Sequence, residues 1–264
     1  MTTNTFILSG KSSDFTTYYP TTIGSNPKKK YEAALLSLDL YNSFPNITEE
    51  NNKFKYSTDN GSTWKLITLN TGSYELTSIN DEIQRLMIIN DDYDKVNHTF
   101  HINISANTST LKSVIEITNE SYQIDFSVVN SIGSTLGFQP LTIRHGYNES
   151  QDIVDIMKIN SILVNVDFIS GSYVQGSQYP VIYSFFPNVS PGRKIIERPN
   201  PSLVFYPVNK SAITSMRLWL TDQNNKLVDV RGETVTVRIL IREVVNIKNY
   251  IKKAIKELKE EKVL

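Results

Sequence analysis

The sequence predicts a mainly β protein: a sandwich or jelly roll with an inserted α+β unit and a C-terminal amphipathic helix. Three observations carry this. Many short runs rich in Val, Ile, Thr, Tyr and Phe are separated by Gly, Pro, Asn and Asp turn signals. Within 53–138, Ile79, Ile83, Leu86 and Met87 repeat at helical spacing among strands of period two. From Val244 to Leu264 there is neither Gly nor Pro, and Val244, Ile247, Ile251, Ile255 and Leu258 fall on one helical face.

Composition narrows the function. The chain has 264 residues, balances 27 Lys+Arg against 27 Asp+Glu, and contains no cysteine. Zero net charge argues against direct sequence-specific nucleic-acid binding, which needs clustered cations. Without Cys there is no disulfide framework, thiolate zinc site or cysteine nucleophile. No apolar run reaches the roughly 18 residues of a membrane span, and Met1–Gly10 lacks the features of a signal peptide. The expectation is a soluble protein made inside the cell. No phosphate-binding glycine loop, nucleophile elbow or HExxH motif occurs, so neither an enzyme nor a cofactor is expected.

Read in order, residues 1–30 are rich in Thr, Ser, Tyr and Pro and read as a flexible arm. The apolar run Phe6-Ile7-Leu8 gives it at most one added strand, and Lys28–Lys30 closes it. Residues 31–50 open with Tyr31–Leu40, YEAALLSLDL, which reads as a strand buried on both faces or packed under another sheet and is ended by Pro45 and Asn46. They join 156–243 to form the sandwich. Residues 51–155 are the α+β unit. In it, Asp59-Asn60-Gly61 marks a hairpin turn, Thr77-Ser78 an N-cap before acidic Asp81 and Glu82, and Gly137 a helix end. Residues 139–155 read as a polar connection. Strands follow at 162–169 and 181–186, with a turn-rich loop at 171–178 between them. An irregular Pro-rich loop at 187–202 comes next, then strands at 203–208, 215–221 and 234–242. Residues 244–264 form the terminal helix. It packs either on its own domain or against a neighbouring subunit, since its spacing also suits a short coiled-coil seam.

Several of these segments resemble a known family. GSYELTSINDEIQRLM, SYQIDFSVVNSIGSTLGF, the Phe205–Val208 element and MRLWLTDQNNKLVDVRGETVTVRILI resemble, in the same order, segments of capsid proteins of Polinton (Maverick) elements and adintoviruses. The matching positions are Gly72, Tyr74, Leu136, Gly137, Phe138, Tyr206, Pro207, Val208, Asp222 and Gly232, with Asn225 where the family more usually has Gly. The resemblance implies a jelly-roll protein of the virion that self-assembles into an icosahedral shell with other capsid proteins. Two roles are open. One is the pentameric penton subunit, which the length favours because two sandwiches of about 100 residues each plus their loops would need a longer chain. The other is a trimeric major capsid protein with two jelly rolls.

Other functions have their own residues. For an attachment or ligand-binding module these are Tyr18, Tyr19 and the Gly171–Tyr179 loop, with glycosylation triplets at Asn46, Asn103, Asn107 and Asn188. For acid–base or calcium chemistry they are Asp167, Asp222, Asp229 and Glu233. His98 and His101, three apart on a strand, would point to opposite faces and are poorly placed to share a metal. Trp219, Phe185, Phe186 and Tyr206 are candidates for a subunit interface or for the core.

Overall fold

The structure, a computed structural model, describes residues 3–23, 29–174, 176–199 and 202–244. The chain opens with β1 (Thr3–Gly10), β2 (Asp14–Ile23) and β3 (Tyr31–Tyr41). Next come β4 (Lys53–Ser57), β5 (Lys65–Thr68), α1 (Leu76–Ile89), β6 (Ile102–Asn107), β7 (Lys112–Ile117) and β8 (Gln123–Asp125). After α2 (Gly133–Leu136) lie β9 (Thr142–Ile143), β10 (Gly146–Glu149) and β11 (Ile162–Val166). The hairpin β12 (Ser172–Val174) and β13 (Ser177–Tyr179) precedes β14 (Val181–Phe185) and β15 (Lys194–Glu197). The last are β16 (Tyr206–Pro207), β17 (Ile213–Asp222) and β18 (Val235–Glu243). These fall into two compact units, one of Met1–Asn42, Ile159–Val189 and Lys194–Leu264, the other of Ser43–Lys158 and Ser190–Arg193.

In the first unit the antiparallel ladders join first strand to last: β1 to β18, β2 to β17, β3 to β15 and β11 to β14. This is a ribbon doubled back on itself. Rolling it up pairs β18 with β3 and β11 with β17, giving sheets β1-β18-β3-β15 and β14-β11-β17-β2. That arrangement is a jelly roll. Alternation supplies its core. Val235, Val237, Ile239 and Ile241 of β18 and Met216, Leu218 and Leu220 of β17 are buried, while Arg238 and Arg217 point out to solvent.

The long apolar run of β3 has a specific cause. Arg238 faces Ser37 but Ile239 faces Leu35, so Leu36 is an extra residue on β3. The bulge flips the phase. Ala33 and Leu35 face the buried Ile241 and Ile239 before it, and Leu38 faces the buried Val237 after it. Ala34 and Ser37 are buried as well, so both faces of β3 are covered.

Three expectations for this unit are corrected. Residues 3–23 are not an arm but two strands, one in each sheet. Phe6 and Leu8 face Ile239 and Val237 across the ladder; the Thr-rich composition masked the alternation, and the partner strand lies at the other end of the chain. The Pro-rich stretch 187–202 contains β15, an edge strand that fits between Pro191 and Pro199. Of 203–208, only Tyr206–Pro207 is strand. Within the terminal helix segment, Val244 is described and exposed; Ile247, Ile251, Ile255 and Leu258 lie outside the described residues.

The second unit holds sheets β5-β4-β8-β9 and β10-β7-β6 with α1 and α2. Ile79, Ile83 and Met87 of α1 enter a core with Phe54, Tyr56, Ile104, Ile115 and Phe126. The helix starts at Leu76 with Glu75 as N-cap, so Thr77 and Ser78 are within it and Asp81 and Glu82 lie past its first turn. The polar stretch 139–155 is not merely a connection, since it supplies β9 and β10. Residues 43–50 belong to this unit rather than to the sandwich.

Candidate assembly interface

The motif residues are placed by their backbone chemistry. In the second unit Gly72 forms a bridge with Ile47, accepting from its N–H (3.1 Å) and donating to its carbonyl (2.9 Å). A Cβ on Gly72 would stand 2.7 Å from the Tyr74 ring, so glycine there is what lets Tyr74 fold back. Asn46 then clamps Tyr74. Its Oδ1 accepts from the Tyr74 N–H at 2.8 Å, and its Nδ2 donates to the carbonyls of Tyr74 (2.7 Å) and Ile156 (3.0 Å). Gly137 ends α2 at φ 80°. It presses against the Asp152 backbone, and Phe138 behind it stacks on Phe126 at 5.5 Å. Leu136 is fully buried, and its carbonyl accepts from Ser113 Oγ.

In the sandwich, Tyr206 and Pro207 face Ala33 and Glu32 of β3, and the Val208 N–H donates to Tyr31 (2.9 Å). Val208 also bridges Ile169, which follows β11 of the other sheet. The three residues thus strap the two sheets together. Beside them Arg242 lies over the Phe205 ring at 3.5 Å and donates to Glu32 at 2.6 Å. Asp222 Oδ1 accepts from the N–H groups of Asn224 (2.8 Å) and Lys226 (2.9 Å), with Asn225 at φ 62°. Gly232 is at φ 74° and meets nothing nearby.

Of the residues that carry a chemical reading, Asp229 and Asp167 accept backbone N–H groups. Asp229 accepts from the Arg231 N–H (2.7 Å). Asp167 binds Lys210 Nζ (2.5 Å) and the Arg217 N–H (3.0 Å). Glu233 is exposed in the turn before β18. His101 Nδ1 lies 3.0 Å from Thr118 Oγ1 and its ring against Tyr122, whereas His98 sits in a turn at φ 52°. Among the described residues no three His, Asp or Glu side chains converge as a metal site. Asn46 uses both amide hydrogens on backbone carbonyls, and a glycan would remove one. Asn103 and Asn107 donate to Phe100 O (3.1 Å) and Glu149 (2.6 Å). The second unit also carries a polar depression of about 510 Å³ lined by Glu50, Phe126, Asn130, Gln139 and Asp152 among others.

The aromatic candidates divide. Phe185 is core, stacked near Tyr183, and Trp219 is half-buried under Arg217 at 4.8 Å. Phe186, Tyr18 and Tyr173 of the 171–179 hairpin are exposed. Tyr19 is half-buried, edge-on to Phe6. Sequence reasoning missed the sheet edges, which the arm assignment hid. Among the described residues β1, β15 with the two-residue β16 on the same side of β3, β14 and β2 are the margins of the sandwich, and an unpaired margin is a template for pairing with another chain. The signal available was the out–in alternation Thr5, Phe6, Ile7, Leu8, Ser9.

No protein-family model matches the chain, and no curated protein matches it. Among solved structures it is similar to the crystal structure of the selenomethionine-labelled mavirus penton protein, with 12% identity over 92% of this chain and 100% of that one, at a TM-score of 0.47.

Proposed function

We propose that the chain is a structural, non-enzymatic capsid protein that self-assembles into a virion shell, in the penton role. The observation that carries the reading is the doubled-back ladder of the first unit. It presents motif residues Tyr206–Val208 as the strap between its sheets and Asp222 at the hairpin turn, the positions where the sequence resembles the capsid family. The second unit enters between β3 and β11, the connection from third to fourth strand of the roll. The described residues hold one roll of this topology, which favours the penton role over a double jelly-roll shell protein. Among the described residues no helix is long and apolar enough to cross a membrane.

Light scattering after size exclusion, across protein concentration and salt, tests the reading. A pentamer, or closed particles built from pentamers, is expected. A trimer would move the chain to the shell role, and a strict monomer alone and with partner capsid proteins would end the capsid reading. For the binding-module alternative, the polar depression beside Phe126 and a second of about 310 Å³ lined by Asp167, Gln178, Tyr179 and Asn209 would be screened next in that event.

A further inference from the structure

We infer that the free edge of β1 is a contact between two copies of this chain, formed by antiparallel pairing of β1 with β1 about a two-fold axis at Ile7. A sheet edge presents unpaired N–H and C=O groups, and proteins blunt such edges with charge, proline, bulges or shortness. Three edges of the sandwich are blunted. β2 carries Pro20, and its register breaks opposite Ile213–Ser215. β15 is four residues long, has Lys194 and Glu197 at its ends, and lies between Pro191 and Pro199. β14 is confined to five residues between Pro180 and Pro187.

β1 has none of these devices. Its eight residues, TNTFILSG, include no charge and no proline. Its ladder with β18 runs without a register shift from Thr3 opposite Arg242 to Gly10 opposite Val235, and among the described residues it pairs with no other strand. At its centre Ile7 is 60% exposed.

The strand also suits a copy of itself. Around Ile7 the pattern reads alike in both directions: Thr5 and Ser9 are exposed with Ile7, while Phe6 and Leu8 turn inward. Facing residues of an antiparallel pair share a face. A two-fold axis at Ile7 therefore sets Ile7 against Ile7, Thr5 against Ser9 and Phe6 against Leu8, with apolar meeting apolar and no like charges opposed. That is the self-complementarity an isologous contact requires. The two sheets would continue into one across the axis.

Because the chain has no cysteine, Ile7→Cys introduces a single thiol. Cβ atoms in facing positions lie about 4.5–5.5 Å apart, close to the roughly 3.5–4.5 Å of a disulfide. Mild oxidation of full-length Ile7→Cys should yield mostly covalent dimer, while Tyr18→Cys on exposed β2 should remain uncrosslinked. Ile7→Lys and Thr5→Lys place like charges near the axis and should weaken two-fold association at least tenfold by sedimentation, with the β circular dichroism spectrum retained. Crosslinking of Ile7→Cys no faster than Tyr18→Cys, or association untouched by either lysine, would overturn the proposal. The outcome separates from the capsid reading. Loss of the two-fold step halves an assembly, as from decamer to pentamer, whereas lack of any five-fold species leaves the crosslink standing.

Discussion

Leu8 lies opposite Val237 on the β1–β18 ladder, and both side chains are fully buried in the sandwich core. The first and last strands of the roll are therefore sealed to each other, and the N-terminal segment is structural. A loose arm would leave Leu8 free of the core.

Leu8→Ala is expected to cost about 2–5 kcal/mol, the range for a truncated buried leucine. Urea unfolding followed by tyrosine and tryptophan fluorescence measures it. A change within about 0.5 kcal/mol, as surface substitutions give, would return residues 3–10 to a peripheral role.

Two motif glycines should respond unequally to alanine. At Gly232 the substitution meets open space and incurs only the left-handed backbone, about 1 kcal/mol. At Gly137 the new Cβ also drives into the Asp152 backbone, so overpacking adds roughly 1–3 kcal/mol. Thermal unfolding of Gly137→Ala should thus fall clearly below that of Gly232→Ala. Equal shifts would mean that the approach of residue 152 to α2 is not a constraint.

Tyr56 supplies a pH dependence. Its phenol is fully buried, donates to Asp92 Oδ2 at 2.5 Å and accepts from Asn90 Nδ2 at 2.9 Å. Burial first, then the hydrogen bond to Asp92, pushes its pKa far above the ordinary 10.0. The neutral phenol is thus favoured in the folded state. The resulting stability is complete below about pH 10 and is lost as pH rises above it. Tyr56→Phe should cost about 1–3 kcal/mol at neutral pH, since Asn90 and Asp92 lose a buried partner. It should also flatten the alkaline fall in stability. A wild-type curve no steeper than the variant's between pH 9 and 11 would contradict this.

Local chemistry was legible in the sequence. Gly137 as a helix end, Asn60-Gly61 as a turn at φ 57° and 83°, and the buried face Ile79, Ile83 and Met87 all follow from conformational preference or period within a few residues. So did the mainly β class. The start of α1 was not legible, because Thr77 and Ser78 are good caps in isolation. The Asn46 clamp on Tyr74 instead comes from a residue far back in the chain.

Tertiary structure decided the rest. The bulge at Leu36 exists only relative to β18, and strand β15 exists only because β3 offers it an edge. β1 became a strand through a partner at the opposite end of the chain. Long-range pairing of this kind leaves little trace in a local pattern, because each strand's own alternation is weak until a second sheet buries one of its faces. For the same reason the sequence displayed motifs whose task is to hold the roll together, while the edge at Ile7, unpaired among the described residues, emerged only once it was set beside β2, β14 and β15.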